Sequence, residues 1–226
     1  MTTLMQKLNR DQHQVVCAAD ADDSLGILAI GQLSVDTTLM LSEPFNFRDH
    51  TSCERFTTLG GSAAIVAHNA SLLGGEATFS GHLGTEEQDQ VSCEALERAG
   101  VTIGETIDDT LGLRICIIVE TNGERTMVAT TPEVHWSHLK RDFSDDQIVY
   151  FEGWHLHHEE TRSEYRQLIA DARDAGATVA VDLCGTSGDR HHGRQLWKVF
   201  SDCGADIIFA NEIEADHYGV LSLIHI

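Results

Sequence analysis

Asp36, Gly60, Gly61, Ser62, Asn211 and Glu214 are the residues whose types and spacing point to chemistry. Asp36 stands just past the apolar run 25–30, which ends in Gly31. In an open parallel sheet, ligands gather outside the carboxyl ends of the strands. A carboxylate there can take two hydrogen bonds from neighbouring hydroxyls of a sugar; the alternative is a solvated loop residue. Gly60-Gly61-Ser62 opens a segment of small and apolar residues that reads as a buried helix running to Leu72-Leu73-Gly74-Gly75. Glycine admits close approach of a ligand, and a helix N-terminus presents unpaired N–H groups to it. Asn211 follows the last apolar run, 206–210, with Glu214 three residues on. The two form either a capping box or a water-mediated Mg²⁺ contact.

Other chemistries fit less well. His155, His157 and His158 lie close together, as do His191 and His192. Strand alternation would bring His155 and His157 to one face, but no third ligand cluster at metal spacing accompanies them. The six cysteines form no C-x-x-C pair, and several lie in apolar runs. Buried thiols in a reducing cytoplasm are therefore expected, rather than zinc or disulfides. No G-x-x-x-x-G-K-[ST] and no G-x-G-x-x-G follows a strand, against a P-loop enzyme and a nicotinamide dehydrogenase.

The formal charge is −21, from 36 acidic and 15 basic residues. Such a surface repels phosphate backbones and anionic lipid, so nucleic acid and membranes are poor partners. The polar residues 1–24 lack an apolar signal-peptide core and read as a flexible acidic leader.

The elements that must position these residues alternate strand and helix. Strands are expected at 25–30, 76–81, 148–151, 178–183 and 206–210. Helices are expected after Gly61, over 87–99 with Val91, Ala95, Leu96 and Ala99 inward, and over 160–175 with Tyr165, Leu168, Ile169 and Ala172 inward. A last helix spans 194–203, with Leu196, Val199, Phe200 and Cys203 inward. Fully apolar strands between helices predict an α/β fold, a parallel sheet covered on both faces. Two regions depart from this: 37–41 with 54–58, and 114–120 with 125–130, read as exposed antiparallel pairs. Asn122-Gly123 marks a hairpin in the second. A small sheet projecting from the body would form a lid.

Gly60-Gly61-Ser62-Ala63-Ala64, Leu73-Gly74-Gly75, Gly81-His82-Leu83-Gly84, Gly123-Glu124-Arg125-Thr126-Met127, Phe151-Glu152-Gly153-Trp154 and Phe209-Ala210-Asn211-Glu212-Ile213-Glu214 occur in an order and spacing that resemble the ribokinase/PfkB family of sugar and nucleoside kinases. The resemblance runs over about 25–220. It implies a ribokinase-like domain with lid strands within about 37–58 and 112–130. It also implies ATP-dependent phosphorylation of a hydroxymethyl group on a sugar or nucleoside. By the same resemblance Asp36, Gly60, Gly61 and Ser62 bind the acceptor, Asn211 and Glu214 organise Mg²⁺ and the ATP phosphates, and a homodimer forms through the lid.

Three departures qualify this expectation. Ile65 stands where the family usually has Asn, and it cannot hydrogen-bond a sugar hydroxyl. After Gly84 the family tends to show two aspartates and a later glycine; here stand Thr85, Glu86 and Asp89. The chain also has no Asp-Thr-x-Gly-Ala-Gly-Asp segment, where the family carries its catalytic base and anion hole. A general base contributes about 10²–10⁴ in rate, so this chain by itself is expected to be inactive. Leu221 to Ile226 reads as translated sequencing adaptor, so a truncated frame with a non-native tail is expected, which resequencing the locus would check. The rival expectation is a non-catalytic sugar- or nucleoside-binding member of the family. In-frame DNA encoding the missing segment would decide between the two. A metal-dependent enzyme built on the histidines comes third.

Overall fold

The computed structural model describes residues 26–219, apart from 47, 110, 131, 140–141 and 187–189. The expected leader, 1–24, and tail, 221–226, lie outside the described residues.

Strand β1 (Gly26–Gln32) opens the chain. The chain then rises into β2 (Ser34–Leu41) and returns along β3 (Cys53–Gly60) to helix α1 (Ser62–Leu72). Next come β4 (Ala77–Gly84), α2 (Glu87–Arg98) and β5 (Thr102–Asp109). The hairpin β6 (Leu113–Val119) and β7 (Arg125–Thr130) follows, then a 3₁₀ turn at Trp136–His138 and β8 (Gln147–Glu152). A single helical turn, α3 (Trp154–His157), leads into α4 (Glu159–Asp174), β9 (Thr178–Asp182), α5 (Arg190–Ser201), β10 (Ile207–Phe209) and α6 (Glu212–Tyr218).

Six strands form one parallel sheet in the order β10-β9-β8-β1-β4-β5. The second sheet, β3-β2-β6-β7, pairs β2 antiparallel with β3 and β6 antiparallel with β7. The two hairpins are joined by a parallel β2–β6 ladder that local patterning did not foretell. That ladder turns two separate ribbons into one four-stranded lid.

The central strands of the main sheet are buried on both faces, as their apolar sequences require, whereas Ile207 and Phe209 of the edge strand β10 are exposed. Ala29 and Phe79 pack with Ala63, Ala64, Ala67 and Leu96 on one face. Leu28, Ile30, Val149 and Phe151 pack with Tyr165, Ile169, Leu196 and Phe200 on the other. The inward face expected for α4 is the observed one: Tyr165, Leu168, Ile169 and Ala172 are all buried.

Other expectations are corrected. Helix α1 is not buried all round. Its alanines face the sheet, while Ile65 stands 43% exposed and Leu72 65%. Small side chains let the helix axis sit close to β1, so the larger ones are left outside. Leu96 is buried as expected, but Val91 is 54% exposed, and α2 turns Asp89 and Ser92 inward instead. A carboxylate replaces the expected valine because an arginine awaits it, as described below. β5 was not expected from its sequence TIGETIDD, whose charged residues suit an edge strand. Of the described cysteines only Cys203 is buried; Cys53 is exposed and Cys93, Cys116 and Cys184 are intermediate. No disulfide joins them. Among the described residues no helix is long and apolar enough to cross a membrane.

Candidate functional site

The strand order reverses at β1. From β1 the chain winds outward through β4 and β5, and from β8 it winds the opposite way through β9 and β10. A crevice opens at such a switch point, at the carboxyl ends of the strands. Here that point falls between the ends of β1 and β8, where Glu152 of β8 accepts backbone N–H groups from the end of β1 and the start of α1.

Asp36 and the glycine pair meet in this crevice. Ser34 and Gly60 are register partners across the β2–β3 ladder, and Asp36 lies two residues along on the same face. The Asp36 carboxylate rests against Gly60, where any Cβ would collide with it. Ser34 donates its hydroxyl to Asp36 Oδ1 at 2.6 Å. Burial pushes the Asp36 carboxyl up, and the Ser34 hydrogen bond partly opposes this. Asp36 is thus a half-buried carboxylate in β2 and not a solvated loop residue.

Gly61 takes φ +89° as it enters α1, and a Cβ there would strike the carbonyl oxygen of Gln32. Only glycine permits both the turn and the contact. Ser62, the first residue of α1, lies near Cys184, whose Sγ–H donates to Ser62 Oγ at 3.5 Å.

Glu152 is the residue that sequence reasoning missed. It appeared within a family-like segment, but no role was read from it. It ends β8, is buried, and accepts the backbone N–H groups of Gln32, at 3.2 Å, and Ala63. One carboxylate thereby ties the end of β1 to the start of α1. Gly31 makes the room, because a Cβ there would overlap both the Glu152 carboxylate and Ala63. Burial raises the Glu152 pKa to about 7, and the nearby Asp182 charge adds to the rise. Asp182 accepts from Tyr150 OH at 3.2 Å and from Cys184 N–H at 3.2 Å. The only local signal for Glu152 was a charged residue closing an otherwise apolar strand.

Asn211 and Glu214 form the expected capping box. Asn211 Oδ1 accepts Glu214 N–H at 2.9 Å, and Glu214 Oε2 accepts Asn211 N–H at 2.8 Å. Glu214 is buried, which pushes its carboxyl up, and Asp182 lies close enough to add to this. Asp182 thus lies near both Glu152 and Glu214.

The histidines are arranged differently from the strand alternation expected of them. His155 and His157 lie in the turn α3, both buried. His155 stacks edge-on against Trp136 with ring centroids 4.5 Å apart, and lies 5.0 Å from Tyr165. His157 Nε2 bonds the carbonyl of Leu183 at 2.7 Å. Both are built into the apolar layer beneath the sheet. The side chains of His191 and His192 lie outside what is described. Among the described residues no group of three or more His, Cys, Asp or Glu side chains gathers to hold a metal.

A parallel sheet wound both ways from β1, with a crevice at the switch point under a four-stranded lid, is the ribokinase-like α/β fold. The chain belongs to the pfkB family of carbohydrate kinases, whose family profile matches residues 26–219. Among solved structures it is similar to fructokinase from Xylella fastidiosa, at TM-score 0.68 and 20% identity, over 86% of this chain and 62% of that one. The same organism's fructokinase with bound ATP matches at TM-score 0.67 and 20% identity, over 87% and 64%. Adenosine kinase from Sinorhizobium meliloti matches at 0.65 and 20%, over 87% and 68%. The chain thus spans less than two thirds of the length of these two fructokinase structures. No curated protein sequence matches it.

Proposed function

We propose that this chain is the acceptor-binding part of a kinase that phosphorylates a hydroxymethyl group of a sugar or nucleoside. The observation that carries the reading is the junction of Asp36, Gly60 and Gly61 at the switch point, in a chain of the pfkB family. Asp36 takes hydrogen bonds from two neighbouring hydroxyls. Gly60 and Gly61 let the acceptor approach the backbone, and Ser62 completes that wall. Glu152 fixes the β1 end and the α1 start relative to each other. ATP, when bound, supplies the phosphoryl group that passes to the acceptor's hydroxymethyl oxygen. Asn211 and Glu214 fit the phosphate side of the crevice. Glu214 is buried with one oxygen committed to its cap, so it acts on Mg²⁺ through water.

Ile65 stands exposed three residues into α1, beside Ser62, and offers the acceptor an apolar contact. No residue of this chain is assigned as the base that takes the hydroxyl proton. In this reading the chain alone binds its acceptor and does not transfer phosphate. A homodimer through the lid belongs to the same proposal. Register brings Met40, Phe56 and Met127 to one lid face, and Phe56 and Met127 are 48% and 59% exposed.

Calorimetric titration of the chain with fructose, ribose and adenosine tests the reading. One of them is expected to bind. Asp36→Ala is expected to lose about 1.5–3 kcal/mol, at least tenfold in affinity, because a charged acceptor of hydrogen bonds is removed. If none of the three binds, or Asp36→Ala binds as tightly as the parent, the assignment of this crevice is wrong.

A further inference from the structure

The departure after Gly84 has a structural counterpart. Asp89 sits in the first turn of α2 with its side chain fully buried. Arg114, the second residue of lid strand β6, forks onto it, with Nη1 to Oδ1 at 2.6 Å and Nη2 to Oδ2 at 2.7 Å. Nη2 also reaches Glu86 Oε2 at 2.7 Å. Asp89 Oδ2 further accepts the Glu86 backbone N–H at 3.1 Å, closing the capping box that starts α2. Two glycines make room, since a Cβ on Gly84 or Gly112 would collide with the Asp89 carboxylate. An ionised carboxylate can be this deeply buried only because the guanidinium satisfies it.

The pair joins the lid to the body. Among the described residues the only ion pairs that do so are those of Arg114, with Asp89 and with Glu86. Its position along the ladder matters. Arg114 is the register partner of Val35, and the next pair in line is Asp36 with Ile115. Drawing β6 away from α2 would strand a buried charge. The distal lid carries no comparable constraint: every residue of β7 and of the hairpin turn 121–124 is exposed.

We propose that the Arg114–Asp89 pair is the fixed pivot of the lid. It holds the base of β6, and through the β2–β6 ladder it holds Asp36 over the crevice, while the strands beyond Ile115 move. The proposal rests on the preceding reading in taking the four-stranded sheet as a lid and Asp36 as a contact of the acceptor. Arg114 is accordingly a positioning residue, acting on the acceptor through Asp36.

Hydrogen–deuterium exchange of the ligand-free chain tests the pivot without reference to any acceptor. Arg114→Met leaves Asp89 buried and unpaired, and is expected to destabilise the whole protein. The double variant Asp89→Asn/Arg114→Met keeps the cap and removes both charges, and is expected to melt close to the parent. In that variant amides of β6 and β7 should exchange at least tenfold faster than in the parent, while those of β1, β4 and β8 are unchanged. Unchanged protection in β6 and β7 would overturn the proposal. So would an equal acceleration throughout the sheet, which would mark the pair as a general stabiliser.

Discussion

Gly61→Ala is expected to cost about 3–5 kcal/mol, about 10–15 °C in melting temperature, and to abolish acceptor binding. Two effects combine. The residue holds φ +89°, closed to side-chain-bearing residues, and its Cβ would overlap the Gln32 carbonyl oxygen. That carbonyl cannot yield easily, because the Gln32 N–H is fastened to Glu152. Gly74→Ala is the internal control. It has nearly the same φ, +90°, but nothing within 4 Å of the added carbon. It should cost only the strain of the left-handed conformation, about 1–2 kcal/mol. Thermal melts of the two variants separate the effects. Equal losses would mean that the α1 entry turn does not press on β1.

The second large effect is a pH dependence concealed in the parent. Glu152 titrates near 7 in the folded chain against an ordinary 4.5, so between these values the folded state holds the extra proton. Its contribution to stability is full below pH 4.5 and is lost as pH rises through 7. His155 is the opposite case. Burial, with His158 and His82 nearby, lowers it from 6.5 to about 3. The unfolded state then holds the extra proton, so stability is full above pH 6.5 and falls as pH drops towards 3. Between pH 4.5 and 6.5 the two slopes oppose each other at about 1.4 kcal/mol per pH unit each.

The parent should therefore be nearly flat in that window with respect to these two groups. Glu152→Gln should gain about 2–3 kcal/mol from pH 4.5 to 6.5, and His155→Phe should lose a similar amount. Asp36 and Glu214 also have raised pKa values, but they are common to all three proteins and cancel in the comparison. Urea midpoints at pH 4.5, 5.5 and 6.5 provide the check. Three parallel profiles would show that neither group is buried in the way described here.

How much of this was legible in the chain differs from residue to residue. Helix α4, its inward face and its start and stop were readable, because a 3.6-residue period and a terminal glycine are local signals. The Asn211–Glu214 box was readable because its partners are three residues apart. The Asn-Gly hairpin was likewise visible, and Gly123 carries the expected positive φ. Val91 misled, because the helical period shows that a stripe exists but not whether the neighbouring strand offers it an apolar or a charged partner. His155 and His157 misled for a related reason. A strand and a single helical turn are alike over four residues, and only the packing of Trp136 and Tyr165 around His155 selects the turn.

By itself the sequence determined the alternation of strands and helices, the glycine turn into α1, the caps, and the motif order that places the chain in its family. These follow from interactions within a few residues of one another, which any chain of this composition carries into every conformation. Tertiary structure alone decided which carboxylates meet which partners. Glu152 reaches the N–H of a residue 120 positions away, and Asp89 is satisfied by an arginine 25 positions on. A buried charge is tolerated only where distant elements bring its hydrogen-bond donors to it, and no local pattern records that meeting. The crevice shares this origin: Asp36, Gly60, Gly61 and Glu152 become one site only because the sheet reverses its winding at β1.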